Sequence, residues 1–118
     1  MGSDHVRERI LHLVGLAVRS RHVALGSDSV MRAIRGGSAK LVFVACDAGA
    51  NSAKKYRDKC DFYRLPLVES FDRASLGRSC GRSEIVAIAV TDPGFAAKLV
   101  EYVGEFDGGD AFDQTSGV

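Results

Sequence analysis

Cysteine is scarce. Cys46, Cys60 and Cys80 are odd in number and far apart, which fits neither a disulfide framework nor the close pairs of a structural zinc site. They read as free thiols, buried or half-buried. Long apolar runs are missing too: none approaches the roughly 20 residues needed to span a bilayer. The amino terminus lacks a signal-peptide apolar region, so the expectation is a cytoplasmic protein that makes no membrane contact. Neither Gly-x-x-x-x-Gly-Lys-Ser/Thr nor Gly-x-Gly-x-x-Gly occurs, which removes the phosphate loops of the nucleotide-binding kinds. No Gly-x-Ser-x-Gly elbow follows a strand, and His5, His12 and His22 crowd the first helix and its exit, where they read as surface or structural histidines. Asp47 closes an apolar strand as the phosphate-accepting aspartate of a receiver domain does, but the acidic pair of an earlier strand is absent. No catalytic residue, metal ligand or cofactor is expected.

Base is lacking in one region. Residues 1–100 hold all 16 Lys and Arg against 10 acids, whereas residues 101–118 hold Glu101, Glu105, Asp107, Asp110 and Asp113 and no base. The overall net charge of +1 hides this asymmetry. A basic body favours phosphate-bearing partners through counterion release, although a solvated surface yields the same tally. With 118 residues, 46% of them hydrophobic and 26% charged, the chain suits one compact domain with its own core. Residues 1–5 read as a cloning remnant or flexible start, 6–104 as the domain, and 105–118 as a flexible acidic tail, either solvated or competing with ligands for the basic surface.

The stretch from Leu25 to Asp47 organises the rest. Gly26-Ser27-Asp28-Ser29 offers a flexible entry followed by good N-capping side chains, and Val30, Ala33 and Ile34 then recur at helical spacing. A helix should begin near Ser27 and stop at Gly36-Gly37, before Leu41-Val42-Phe43-Val44-Ala45 forms a strand buried on both faces. Upstream, Val6, Ile10, Leu13, Val14 and Ala17 mark a first helix, and residues 19–25 leave room for a brief edge strand. Downstream, Asn51 or Ser52 should cap a helix whose bases between Lys54 and Lys59 read as a solvated face. A short strand starts at Pro66 within residues 65–69, a brief helix opens at Ser70 or Asp72 and runs through Leu76, and Gly77 to Glu84 reads as a loop. Ile85 to Val90 is a second wholly apolar strand, placed mid-sheet, and Thr91-Asp92-Pro93-Gly94 starts the closing helix with Phe95, Leu99, Tyr102 and Val103. Helix and strand alternate throughout, which implies α/β architecture: a three-layer α/β/α sandwich around a small mixed sheet of about four strands.

A binding site emerges if the start of the second helix and the loop from Gly77 to Glu84 meet at one end of that sandwich. Together they would supply helix N-terminal amides, Asp28, Arg32, Arg78 and Arg82. Bases and amides suit phosphates, while a carboxylate accepts hydrogen bonds from the N1-H and N2-H of an unpaired or sheared guanine. The competing reading of Gly26 to Ser29 is an ordinary helix cap.

The pattern Gly26-Ser27-Asp28-Ser29-Val30-Met31-Arg32-Ala33-Ile34, the strand at 41–45 followed by Asp47, the Leu76-Gly77-Arg78 step and the last apolar strand with Thr91-Asp92 resemble the ribosomal protein L7Ae and L30e superfamily, and within it the bacterial YlxQ-like branch. The resemblance covers roughly residues 6–103. It implies an α/β/α sandwich that binds kink-turn or related RNA in ribosomes and small ribonucleoproteins, without catalysis. The family's Gly-Thr-Asn-Glu-x-x-Lys signature falls on Gly26, Ser27, Asp28, Ser29 and Arg32. Only the glycine is retained; Ser27 keeps a hydroxyl, Asp28 stands for asparagine, Ser29 for glutamate and Arg32 for lysine. Loss of the glutamate removes one guanine acceptor, and Asp28 supplies another nearby. The loop that in the family packs apolar side chains on an extruded nucleotide is polar here, with Gly81 and Arg82 facing RNA, and Arg82 suited to a base or a phosphate. The resemblance thus implies RNA-binding residues Gly26, Ser27, Asp28, Ser29, Arg32, Arg78, Gly81 and Arg82. The expected partner is structured RNA, ribosomal or otherwise kink-turn-like, with ribosomal or transcription and translation proteins as further partners. Two alternatives stay open: a protein-interaction module that kept the fold and lost RNA recognition, and a small-molecule-binding α/β enzyme.

Overall fold

In the computed structural model, which describes the backbone of residues 2–106 and side chains from His5 onward, nine elements follow in strict alternation. They are α1 (Gly2–Arg19), β1 (Val23–Leu25), α2 (Ser27–Arg35), β2 (Leu41–Val44), α3 (Ala50–Tyr63), β3 (Leu67–Val68), α4 (Arg73–Ser79), β4 (Ala87–Val90) and α5 (Pro93–Phe106). The expected order is reproduced. Strands β2 and β4 are buried at every position, as their unbroken apolar runs require. They pair antiparallel, Leu41 opposite Val90 and Val44 opposite Ala87. The sheet order is β1-β4-β2-β3, with β1 antiparallel to β4 and β3 parallel to β2, so the sheet is mixed and β4 lies inside it.

Alternation along the strands splits the core in two. Leu41, Phe43, Ile88 and Val90 face Ile10 and Val14 of α1, Leu76 of α4, and Leu99 and Val103 of α5. Val42, Val44, Ala87 and Ala89 face Val30 and Ile34 of α2 and Tyr56 and Cys60 of α3. Three helices cover one face and two the other, which completes the three layers. On the two-helix side the strands present small alanines, leaving room for the Tyr56 ring. Its hydroxyl is buried and has no hydrogen-bond partner among the described residues.

Several boundaries differ from the sequence reading. α1 includes Gly2 to His5 in its helical backbone, and α5 carries Glu105 and Phe106. α3 starts at Ala50 with Gly49 at the cap, so neither Asn51 nor Ser52 caps it. α4 runs on to Ser79 and absorbs Gly77 and Arg78, which the glycines had suggested were loop. Its close packing explains this: a Cβ on Gly77 would stand 2.4 Å from the Glu84 Cα, so only glycine lets the returning chain cross the helix there. Of the three free thiols, Cys60 is buried and Cys80 half-buried, but Cys46 is exposed. Burial pushes the Cys60 thiol up to about 11. The acidic stretch from Asp107 onward lies outside the described residues.

Candidate nucleic-acid interface

Strand directions decide what meets at the proposed site. Because β1 and β2 both run antiparallel to β4, the carboxyl ends of β1 and β2 lie beside the start of β4. α2 and α3 leave the sheet there, and the chain enters β4 there after the turn that follows α4. The Gly26 N–H donates to the Ala87 carbonyl at 3.1 Å, tying the start of α2 directly to the strand that the 80–86 turn feeds. The helix start is therefore joined to the strand that leaves the glycine turn, at the same end of the sheet, while the turn itself is tied to α4 through Gly77 and Arg73.

Gly26 holds φ 87° and ψ 162°, a conformation that side-chain-bearing residues rarely adopt. With glycine at the cap, no side chain caps α2; this corrects the expectation that Ser27, Asp28 or Ser29 would do so. Those three lie inside the first turn instead. Ser27 and Asp28 are exposed and Ser29 is half-buried. The carbonyl of Gly26 already serves the Val30 N–H at 2.9 Å, while Asp28 has no partner among the described residues. The result is a helix start with free amides, a positive dipole end and one free carboxylate. One turn on, exposed Arg32 donates from Nη2 to the Ser29 hydroxyl at 3.3 Å, which holds the guanidinium beside the helix start. Arg35 occupies the far end of the same helix.

The turn after α4 is held by its own backbone. The Arg82 N–H donates to the Gly77 carbonyl at 2.8 Å, the Ile85 N–H to Arg73 at 3.1 Å, and Gly81 turns at φ 76°. Gly81, Arg82, Ser83 and Glu84 are all exposed. Arg78 is exposed but leans the other way, with Nη2 3.5 Å from the Ser75 hydroxyl that also accepts from Arg7 Nη2 at 2.8 Å. It therefore belongs to the α1–α4 side, while Gly26 to Ser29 and Arg32 belong to α2.

Asp47 has a structural task. Its Oδ1 accepts the Arg73 N–H at 3.0 Å, and Oδ2 lies 3.6 Å from Arg73 Nε, so it fastens the loop after β2 to the start of α4. The sequence reads the outer face of α3 as solvated bases and gives no role to the aromatic residue at its end. Phe62, 77% exposed, stands there against Tyr63 with ring centroids 5.0 Å apart, edge to face. The wheel held the signal: the buried stripe is Ala53, Tyr56 and Cys60, and Phe62, two residues past Cys60, points away from it. Among the described residues no cluster of His, Cys, Asp or Glu could hold a metal ion, and no helix is long and apolar enough to cross a membrane.

A four-stranded mixed sheet with three helices on one face and two on the other, its open helix start at the same end of the sheet as a glycine turn, defines an α/β/α sandwich of the ribosomal-protein kind. The chain belongs to the Ribosomal protein L7Ae/L30e/S12e/Gadd45 family, which it matches over residues 8–100. It is 50% identical over 88 residues to the RNA-binding protein YlxQ of Bacillus subtilis, covering 75% of this chain and 88% of that one. It is 36% identical over 97 residues to the RNA-binding protein YlxQ of Enterococcus faecium, covering 82% and 93%. Among solved structures, a protein of unknown function from Bacillus halodurans C superimposes with a TM-score of 0.77 at 39% identity, covering 80% of this chain and 95% of that one.

Proposed function

We propose that the chain binds structured RNA, without catalysis, through the start of α2 and the turn that follows α4. The observation that carries this reading is the uncapped opening of α2: glycine at the cap, free first-turn amides, and the unpartnered carboxylate of Asp28 beside them. Amides and Arg32 would take phosphates, and Arg82 a phosphate or an exposed base, while Asp28 would accept from the Watson–Crick edge of an unpaired or sheared guanine. The relatives named for RNA binding support it. The retained Gly26 favours an RNA bent like a kink-turn, and the family's ribosomal members favour a role in the translation machinery, hence in the cytoplasm.

A second reading, a protein-interaction module that kept the fold, draws on the Arg32–Ser29 contact, which occupies one donor of Arg32 within its own helix. Titration against a kink-turn RNA, a matched RNA lacking the sheared G·A pairs and a plain duplex, at two salt concentrations, separates the two. Salt-sensitive binding supports the RNA reading, and tightest binding to the kink-turn supports its finer form. No binding to any of the three at low salt favours the protein-interaction module.

A further inference from the structure

We infer that the outer face of α3 is a second RNA-contacting surface, one that holds an unpaired strand leaving the structured element bound at α2. The inference rests on the RNA-binding reading above and extends it to a new place. α3 begins at the same end of the sheet as α2 and packs beside it on the same face. Its outer row runs from Asn51 to Phe62, about 17 Å at the helical rise, and lines an open groove of about 530 Å³. A strand emerging beside Gly26 would therefore meet this groove from the end of the sheet where both helices begin.

The chemistry of that path fits an unpaired strand. Lys54 is neutralised by Asp58 at 2.8 Å, but Lys55, Lys59 and Arg64 have no acidic partner among the described residues. Lys55 and Lys59 are one helical turn apart, about 6 Å between their Cβ atoms, and can serve successive phosphates. At the end of the row Phe62 is 77% exposed, its ring set by the edge-to-face contact with Tyr63 and otherwise open to solvent. An exposed ring at the end of a row that carries Lys55 and Lys59 without acidic partners among the described residues is the combination that stacks a base while holding its backbone. A protein partner fits less well, since lysines are depleted at the centre of protein interfaces and the groove is lined by Phe62 among polar and charged side chains.

The test compares a blunt kink-turn RNA with the same RNA carrying an unpaired pyrimidine tail at either end, using the full chain, Phe62→Ala, and Lys55→Gln with Lys59→Gln. A 2-aminopurine placed in the tail reports stacking. The expected result is that one tail tightens binding by about tenfold and changes the 2-aminopurine emission. Both variants should bind the blunt RNA as the parent does and lose most of the gain from the tail. Phe62 is exposed, so its replacement leaves the fold intact, which a thermal melt verifies. Equal affinity for blunt and tailed RNA overturns this inference alone and leaves the α3 face to an acidic protein partner, whereas failure to bind either RNA overturns the RNA-binding reading along with it.

Discussion

α2 and α4 leave the sheet at the same end, yet one start is open and the other sealed. At α4, Asp72 sits at the cap and its Oδ1 accepts the Ser75 N–H at 2.7 Å, while Asp47 takes the Arg73 N–H from outside. At α2 the cap is Gly26, and Asp28, the second residue of the helix, accepts no hydrogen bond among the described residues. The same residue type is spent on structure in one place and left for a ligand in the other. Position relative to the cap decides which. The contrast extends to the layers: α5 is also capped by aspartate, Asp92 Oδ2 taking the Phe95 N–H at 2.9 Å, whereas α2 and α3, on the opposite face, both begin at glycine with no side-chain cap.

Breaking the sealed side should cost the most. Gly77→Ala drives a methyl into the Glu84 backbone, and chemical denaturation should show a loss of about 3 kcal/mol. Asp72→Ala should lower the melting temperature, with a pH signature. The Ser75 amide, followed by the nearby Arg7 and Arg78 charges, holds the Asp72 carboxyl below its ordinary range. A depressed folded-state value contributes stability that is fully present above the ordinary aspartate range and is lost as pH falls through the lower value. The difference between parent and variant should thus be constant at neutral pH and shrink below about pH 4.

The open side should respond in binding rather than in stability. Arg32→Ala should weaken binding to all structured RNAs alike and reduce the slope of log affinity against log salt by about 1. Asp28→Ala should leave stability within about 0.5 kcal/mol of the parent while changing preference among RNAs. The core offers a further contrast: Tyr56→Phe removes a buried hydroxyl with no hydrogen-bond partner among the described residues, and should leave stability unchanged or raise it by up to about 1 kcal/mol. A loss there would mean that the hydroxyl has a partner in solution.

The nine elements and their order were legible because apolar runs and helical stripes are local features, and β2 and β4 are continuous enough to read as buried strands on sight. What stayed hidden was set by partners distant in sequence. Gly26 becomes a cap because the Ala87 carbonyl, on another strand, holds its N–H, and Ser27, Asp28 and Ser29 are drawn into the first turn as a consequence. Gly77 looked like a loop glycine because its reason for being glycine is Glu84 crossing against it. Of the proposed site, the helix start and the turn after α4 could be named from the pattern around Gly26 and from Gly81-Arg82, but Arg78's lean toward Ser75 and Arg7 depends on the packing of α1 on α4. The exposure of Phe62 follows from the helix wheel once Ala53, Tyr56 and Cys60 are known to be the buried stripe of α3.

The most direct measurement is the affinity of the parent chain and Asp28→Ala for a kink-turn RNA and for the same RNA without its sheared G·A pairs, at low salt. The parent should prefer the kink-turn and Asp28→Ala should lose that preference while keeping salt-sensitive affinity for both. Identical preferences in the two proteins would contradict the assignment of the open start of α2 as the surface that reads the RNA.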